Sequence, residues 1–126
     1  MVLITGEVAS EADRTAVEQA IARIENVRST VNDLAVAPPS SLAQRSGDTI
    51  LTSKVKATYV DAKDMQSSAV KVVTERGTVY LLGRVTEREA SHAVELARGM
   101  SGVKKVVRVF EILTDQELAT LGDQKK

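Results

Sequence analysis

Between residues 70 and 113 the hydrophobic period changes from two to 3.6 and back to two. That switch restricts this part of the chain to strand, strand, helix, strand. The stretch reads VKVVTERGTVYLLGRVTEREASHAVELARGMSGVKKVVRVFEIL. Val70, Val72, Val79, Leu81 and Val85 follow the alternation of half-buried strands. Glu75-Arg76-Gly77-Thr78 between them supplies the glycine of a tight hairpin turn. Ala90, Ala93, Val94 and Ala97 then fall at i, i+3, i+4 and i+7, the apolar stripe of a helix. Thr86 with Glu89 three residues on is a capping-box signature that marks its start. Gly99 and Gly102 are expected to end it, Gly102 as the helix stop. Beyond them, Val107, Val109 and Glu111 share one strand face, and Val106, Arg108, Phe110 and Ile112 share the other.

Residues 2–36 repeat this pattern. Val2 aligns with Val79, Gly6 with Gly83, Val8 with Val85 and Ala16-Val17-Glu18 with Ala93-Val94-Glu95. After one extra residue, Val27 aligns with Val103, Val31 with Val107 and Val36 with Ile112. An internal repeat is the reading favoured here over chance similarity of two strand–helix–strand units. The first helix is expected over Glu11–Ile24, starting near Ser10 and Asp13 and burying Ala16, Val17, Ala20, Ile21 and Ile24. Gly6 and Gly83 are read as structural, Gly83 at a close backbone approach. Nothing before Val2 matches residues 48–73, so the first copy would have a two-stranded sheet with an uncovered edge. Met1 directly before the strand-like Val2-Leu3-Ile4 suggests that a longer chain supplies the rest.

The expected organisation is a partial βαβ copy at 1–37, a linker at 38–47, a complete copy at 48–114 and a polar tail at 115–126. Two prolines followed by Ser, Gln and Gly are expected to keep the linker free of regular structure. A helix should start at Asp48, its N-cap candidate, with Leu51, Val55 and Tyr59 as core stripe. Asp61 to Ser68 reads as a polar loop, and Leu118 and Leu121 suggest a frayed helix in the tail. The fold class is α+β: a small mixed sheet, three-stranded in the complete copy, covered on one face by two helices.

Composition narrows the function. Hydrophobic content of 43% with one Phe, two Tyr and no Trp implies an aliphatic core. Seventeen basic and seventeen acidic side chains cancel, leaving no global field for nucleic acid. The charge is uneven: residues 1–37 carry three Arg against six acids, and residues 38–126 fourteen basic against eleven acidic side chains. The second part is thus the better candidate for an anionic surface. Without cysteine there is no disulfide, thiol nucleophile or thiolate metal site. No apolar run is long enough to span a bilayer.

The αββαβ order, with Gly83 closing Tyr80-Leu-Leu-Gly and the Ser101-Gly102-Val103 turn, resembles the BON domain, named for bacterial osmotically induced and nodulation proteins. The resemblance covers 47–113, and residues 2–36 look like the second half of another such domain. Two copies joined by a short linker are most similar to the dual-BON outer-membrane lipoproteins of Gram-negative bacteria. That resemblance implies a non-enzymatic periplasmic protein, held at the outer membrane by a lipid anchor that this sequence does not contain. It implies binding of anionic phospholipid through the helix at 48–60 and support of envelope integrity. Ile50 stands where relatives can carry an aromatic residue.

Catalytic chemistry finds little footing. His92 is the one histidine, mid-helix and off the apolar stripe, where a solvated surface role is the plainer reading. Ser53-Lys54 are adjacent on a helix and point about 100° apart, a poor nucleophile and base. Asp61 and Asp64 lack the dense acidic spacing of a calcium loop. No metal or cofactor is expected. The residues expected to meet lipid are Ile50, Lys54, Val55, Tyr59, Val60, Lys63 and Met65. Against this stands the reading in which Leu51, Val55 and Tyr59 are core and the lysines merely solvated. Expected partners are an anionic phospholipid surface and, secondarily, envelope proteins or a second copy at the partial domain's open edge; nucleic acid is not among them.

Overall fold

The computed structural model describes residues 1–62 and 67–114. It shows a mixed α+β chain with three helices and small sheets among those residues, dividing into two compact units at 1–47 and 48–126. The expected tail helix lies outside the described residues.

In the second unit the strands are β5 (Lys71–Glu75), β6 (Thr78–Thr86) and β7 (Lys105–Leu113), in the order β5-β6-β7. β5 and β6 are antiparallel, with Val72 opposite Leu81. β6 and β7 are parallel, with Leu81 opposite Arg108. Between them runs helix α3 (Glu87–Arg98). The hairpin turn places Arg76 and Gly77 at φ 54° and 80°, two consecutive left-handed residues, as a type I′ turn requires. A single core gathers Val70, Val72, Val79, Leu81, Val85 and Phe110 from the sheet side with Ala90, Ala93, Val94 and Ala97 from α3. The alternation and the alanine stripe read from the sequence are the ones the fold buries.

α3 opens on a reciprocal cap. The Thr86 hydroxyl accepts from the Glu89 amide at 3.2 Å, and the Glu89 carboxylate accepts from the Thr86 amide at 3.1 Å. The end of α3 differs from expectation. Gly99 caps it in an ordinary right-handed conformation (φ −76°), and only Gly102, in the turn beyond, has positive φ (95°). Gly102 therefore shapes the turn into β7 rather than stopping the helix. Gly83 is at φ 142°, and a Cβ there would lie 2.1 Å from the Ala69 carbonyl oxygen. The backbone before β5 crosses β6 at a distance that only glycine permits.

In the first unit the ladders are β1 (Val2–Ile4) with β3 (Thr30–Asn32) and β2 (Glu7–Val8) with β4 (Ala35–Val36), both parallel. Gly6, at φ 123°, interrupts the run between β1 and β2. Leu3 pairs with Val31 and Val8 with Val36; in the second unit Tyr80 pairs with Val107 and Val85 with Ile112. These pairs fall on one another under the alignment that puts Val2 on Val79.

Helix α1 (Glu11–Ala22) stops two residues before the expected Ile24 and buries no residue. Ala16 and Ala20 are exposed, Ile24 is 56% exposed, and Val17 and Ile21 are only half-buried. The stripe is present, but this unit offers few large side chains to cover it; Ile4 alone among its hydrophobic residues is buried. Polar contacts tie α1 to β3 instead. Arg14 donates to the Asn32 carbonyl oxygen at 3.0 Å, and the Asn32 amide donates to Glu18 at 3.0 Å.

Candidate functional site

Helix α2 spans Leu42–Asp61 and so begins six residues before the expected Asp48. Ser41 and Gln44 explain the early start. The Ser41 hydroxyl accepts from the Gln44 amide at 3.1 Å, and the Gln44 side chain accepts from the Ser41 amide at 3.1 Å. This is a second capping box, in the Ser-x-x-Gln form, and it turns the latter part of the expected linker into helix. Only residues 37–41 between Val36 and the helix lack regular structure.

Asp48 is consequently mid-helix and has a different task. Its carboxylate accepts from the Arg76 amide at 2.9 Å and the Gly77 amide at 3.0 Å. Successive amides of a left-handed turn form a concavity that favours an anion, and here a helix side chain occupies it. Three further contacts fasten the same side of α2. Leu51 and Val55 enter the core. The Thr52 hydroxyl donates to Thr74 at 2.7 Å. Tyr59, 1% exposed, donates its hydroxyl to the Ala93 carbonyl oxygen at 2.7 Å. Burial raises the Tyr59 hydroxyl's pKa far above the usual phenol value, so it stays a donor throughout the physiological range.

Those contacts correct the expected set of surface residues. Val55 is 0% and Tyr59 1% exposed, so both are core and neither can touch a partner directly. Lys63 and Met65 lie outside the described residues. Ile50 at 57%, Val60 at 69% and an exposed Lys54 do face outward. At about 100° per residue, Ile50, Ala57 and Val60 share the side of α2 opposite Leu51, Val55 and Tyr59. Lys54 borders that side on one flank and Lys56 on the other. Neither lysine has an ion pair among the described residues. The signal for this division was the spacing Leu51-Val55-Tyr59; Lys56, which the sequence reading passed over, lies at the fourth position before Val60.

The chemistry sought elsewhere does not assemble. The Ser53 hydroxyl donates to the Thr49 carbonyl oxygen at 3.1 Å and is used within the helix. His92 is half-buried on α3 rather than fully solvated. Among the described residues no group of three or more His, Cys, Asp or Glu could hold a metal ion, and no helix is long and apolar enough to cross a membrane.

A three-stranded mixed sheet backed by two helices, one of them with an unpartnered apolar and cationic side, defines a small α+β module that presents a surface. The BON domain profile matches residues 1–38 and 47–114, and the chain belongs to the BON domain family. It is 39% identical over 113 residues to "Outer membrane lipoprotein DolP" of Haemophilus influenzae, covering 89% of this chain and 58% of that protein. It is 29% identical to the "21 kDa hemolysin" of Actinobacillus pleuropneumoniae, over 86% of this chain and 56% of that protein. To "Osmotically-inducible protein Y" of Escherichia coli it is 34% identical, again over 86% and 56%. The chain thus spans a little over half the length of the curated relatives it matches.

Proposed function

We propose that this chain is a non-enzymatic envelope module that binds anionic phospholipid on the periplasmic side of the outer membrane through the outward side of α2, and so supports envelope integrity. The observation that carries the reading is the division of α2. One side is fastened to its own fold, while Ile50 and Val60 stand exposed between Lys54 and Lys56. Aliphatic groups flanked by flexible cations match the boundary between acyl chains and phosphates. A relative named as an outer membrane lipoprotein supports the compartment. Each lysine near an anionic surface adds about 1 kcal/mol, so one module binds weakly and tethering to the membrane does the rest. The coincident strand registers support one complete BON unit at 48–114 and the latter part of another at 1–37.

Vesicle flotation tests the reading. The chain should float with vesicles containing phosphatidylglycerol, less so as salt screens the lysines, and Ile50→Ser with Val60→Ser should weaken flotation roughly tenfold. Equal flotation of the double variant would remove α2 from the contact.

A second reading is favoured by α1, which buries no residue and leaves Ile24 56% exposed. In it, the first unit accepts a strand from an envelope protein or a second copy along the edge of β1. Sedimentation equilibrium distinguishes the two: strand acceptance between copies predicts dimers at high concentration, whereas lipid binding needs none.

A further inference from the structure

We propose that two copies of this chain associate antiparallel along the free edge of β7, with Arg108 of each copy opposite Glu111 of the other. The proposal is independent of the lipid reading and concerns a different strand from the β1 edge. β7 is an outer strand of its sheet, and among the described residues its second edge pairs with no strand. It is nine residues long, contains no proline and pairs with β6 residue for residue from Lys105 to Leu113. Natural sheets blunt such an edge by keeping it short, bulging it or placing proline in it, and β7 has none of these devices. Its carboxyl end is also apolar at the surface: Ile112 is 42% exposed and lines an open groove beside Ser91, His92 and Glu95 of α3.

The charges select the register. With a two-fold axis between Val109 and Phe110, Arg108 faces the partner's Glu111 and Val109 the partner's Phe110. Val107 then faces the partner's Ile112, and Val106 the partner's Leu113. Opposite charges and apolar pairs across antiparallel strands stabilise, and like charges do the reverse. Moving the axis onto Val109 sets Arg108 against Phe110 and Glu111 against Val107; moving it onto Arg108 sets two arginines together. The charges also continue beyond the joint. Within one copy Arg108 lies 2.9 Å from Glu87, and Arg84 lies 3.6 Å from Glu111. Pairing therefore lines up Glu87, Arg108, the partner's Glu111 and the partner's Arg84, alternating in sign across the seam. Such a network counts for more than an isolated surface pair. The Arg108 and Glu111 side chains are 39% and 48% exposed, so each is open to the other copy. Arg108 is on the helix side of its sheet and Glu111 on the other. The joint thus turns one copy over, and the helices of the two copies lie on opposite faces of a shared sheet.

The test uses the full chain, which contains no cysteine, so introduced thiols are the only ones. In the proposed register, positions 107 and 112 of opposite copies face each other with Cα atoms about 5 Å apart, within reach of a disulfide. Val107→Cys with Ile112→Cys leaves both charges in place and, once oxidised, should run as a covalent dimer on a non-reducing gel. Each single variant should stay monomeric there, because like positions lie roughly 17 Å apart along the seam. Sedimentation equilibrium of the unaltered chain should show a reversible dimer at about 1 mM. Glu111→Arg, which sets arginine against Arg108, should weaken that dimer about tenfold. Arg108→Glu with Glu111→Arg should restore it to within about threefold. An unaltered chain that stays monomeric at that concentration would overturn the proposal. So would single variants that cross-link as readily as the double one. A dimer in solution whose double variant forms no disulfide would also overturn it, and would place the contact on another edge such as β1.

Discussion

Gly83 and Tyr59 are fixed by contacts that a single atom would break or remove. A Cβ at Gly83 would meet the Ala69 carbonyl oxygen at 2.1 Å, a backbone atom with no rotamer to turn aside, and φ there is 142°. Gly83→Ala should therefore cost roughly 3 kcal/mol, combining left-handed strain with overpacking, as read by urea unfolding. Tyr59 gives a pH signature. Its hydroxyl has a folded pKa raised above the usual 10.0 by burial. Below pH 10 both states hold the proton; above it the unfolded chain releases the proton while the folded chain keeps it, so stability falls as pH rises. Tyr59→Phe should cost about 1 kcal/mol at neutral pH through the lost bond to Ala93, yet lose stability less steeply above pH 10. Equal alkaline slopes in the two proteins would contradict this origin.

Among elements, α2 carries most of the argument, and its inner side was the most legible part of the sequence. Leu51, Val55 and Tyr59 repeat at helical spacing, and the core takes all three. Counting Val55 and Tyr59 also as lipid-facing conflicted with that periodicity, since one side of a helix cannot be both core and surface. The start of α2 was hidden for a different reason. Pro38 and Pro39 signal a break, and the Ser41-x-x-Gln44 cap that follows them sits in the same polar stretch, where composition alone favours a linker. Nor could spacing reveal the Asp48 contact, because its partners are amides 28 and 29 residues away in the chain. Asp48→Asn keeps the shape but presents one carbonyl oxygen to two donors. It should lower stability by about 2 kcal/mol and speed hydrogen exchange at the Arg76 and Gly77 amides. Unchanged exchange there would mean that the turn holds itself.

At the scale of the whole molecule, the two units differ in how much of their apolar surface they bury. Both have parallel ladders in matching register and a glycine at positive φ, Gly6 between β1 and β2 and Gly83 within the continuous β6. The second also has α2 and β5, against which α3 and the sheet close a core. The first has no such elements, and the sequence reading erred there by assigning burial to Ala16, Ala20 and Ile24 from their spacing alone. Periodicity states which side of a helix is apolar; it does not state whether anything lies against it. α2 presents the same situation on its outward side, and the proposed role assigns that side to a bilayer. The most direct test follows the backbone amides of the isotope-labelled chain during titration with phosphatidylglycerol micelles. The largest shifts should fall on residues 50–60, strongest near Ile50, Lys54, Lys56 and Val60, and shrink with phosphatidylcholine. Shifts confined to residues outside α2, or equal for the two lipids, would contradict the proposed function.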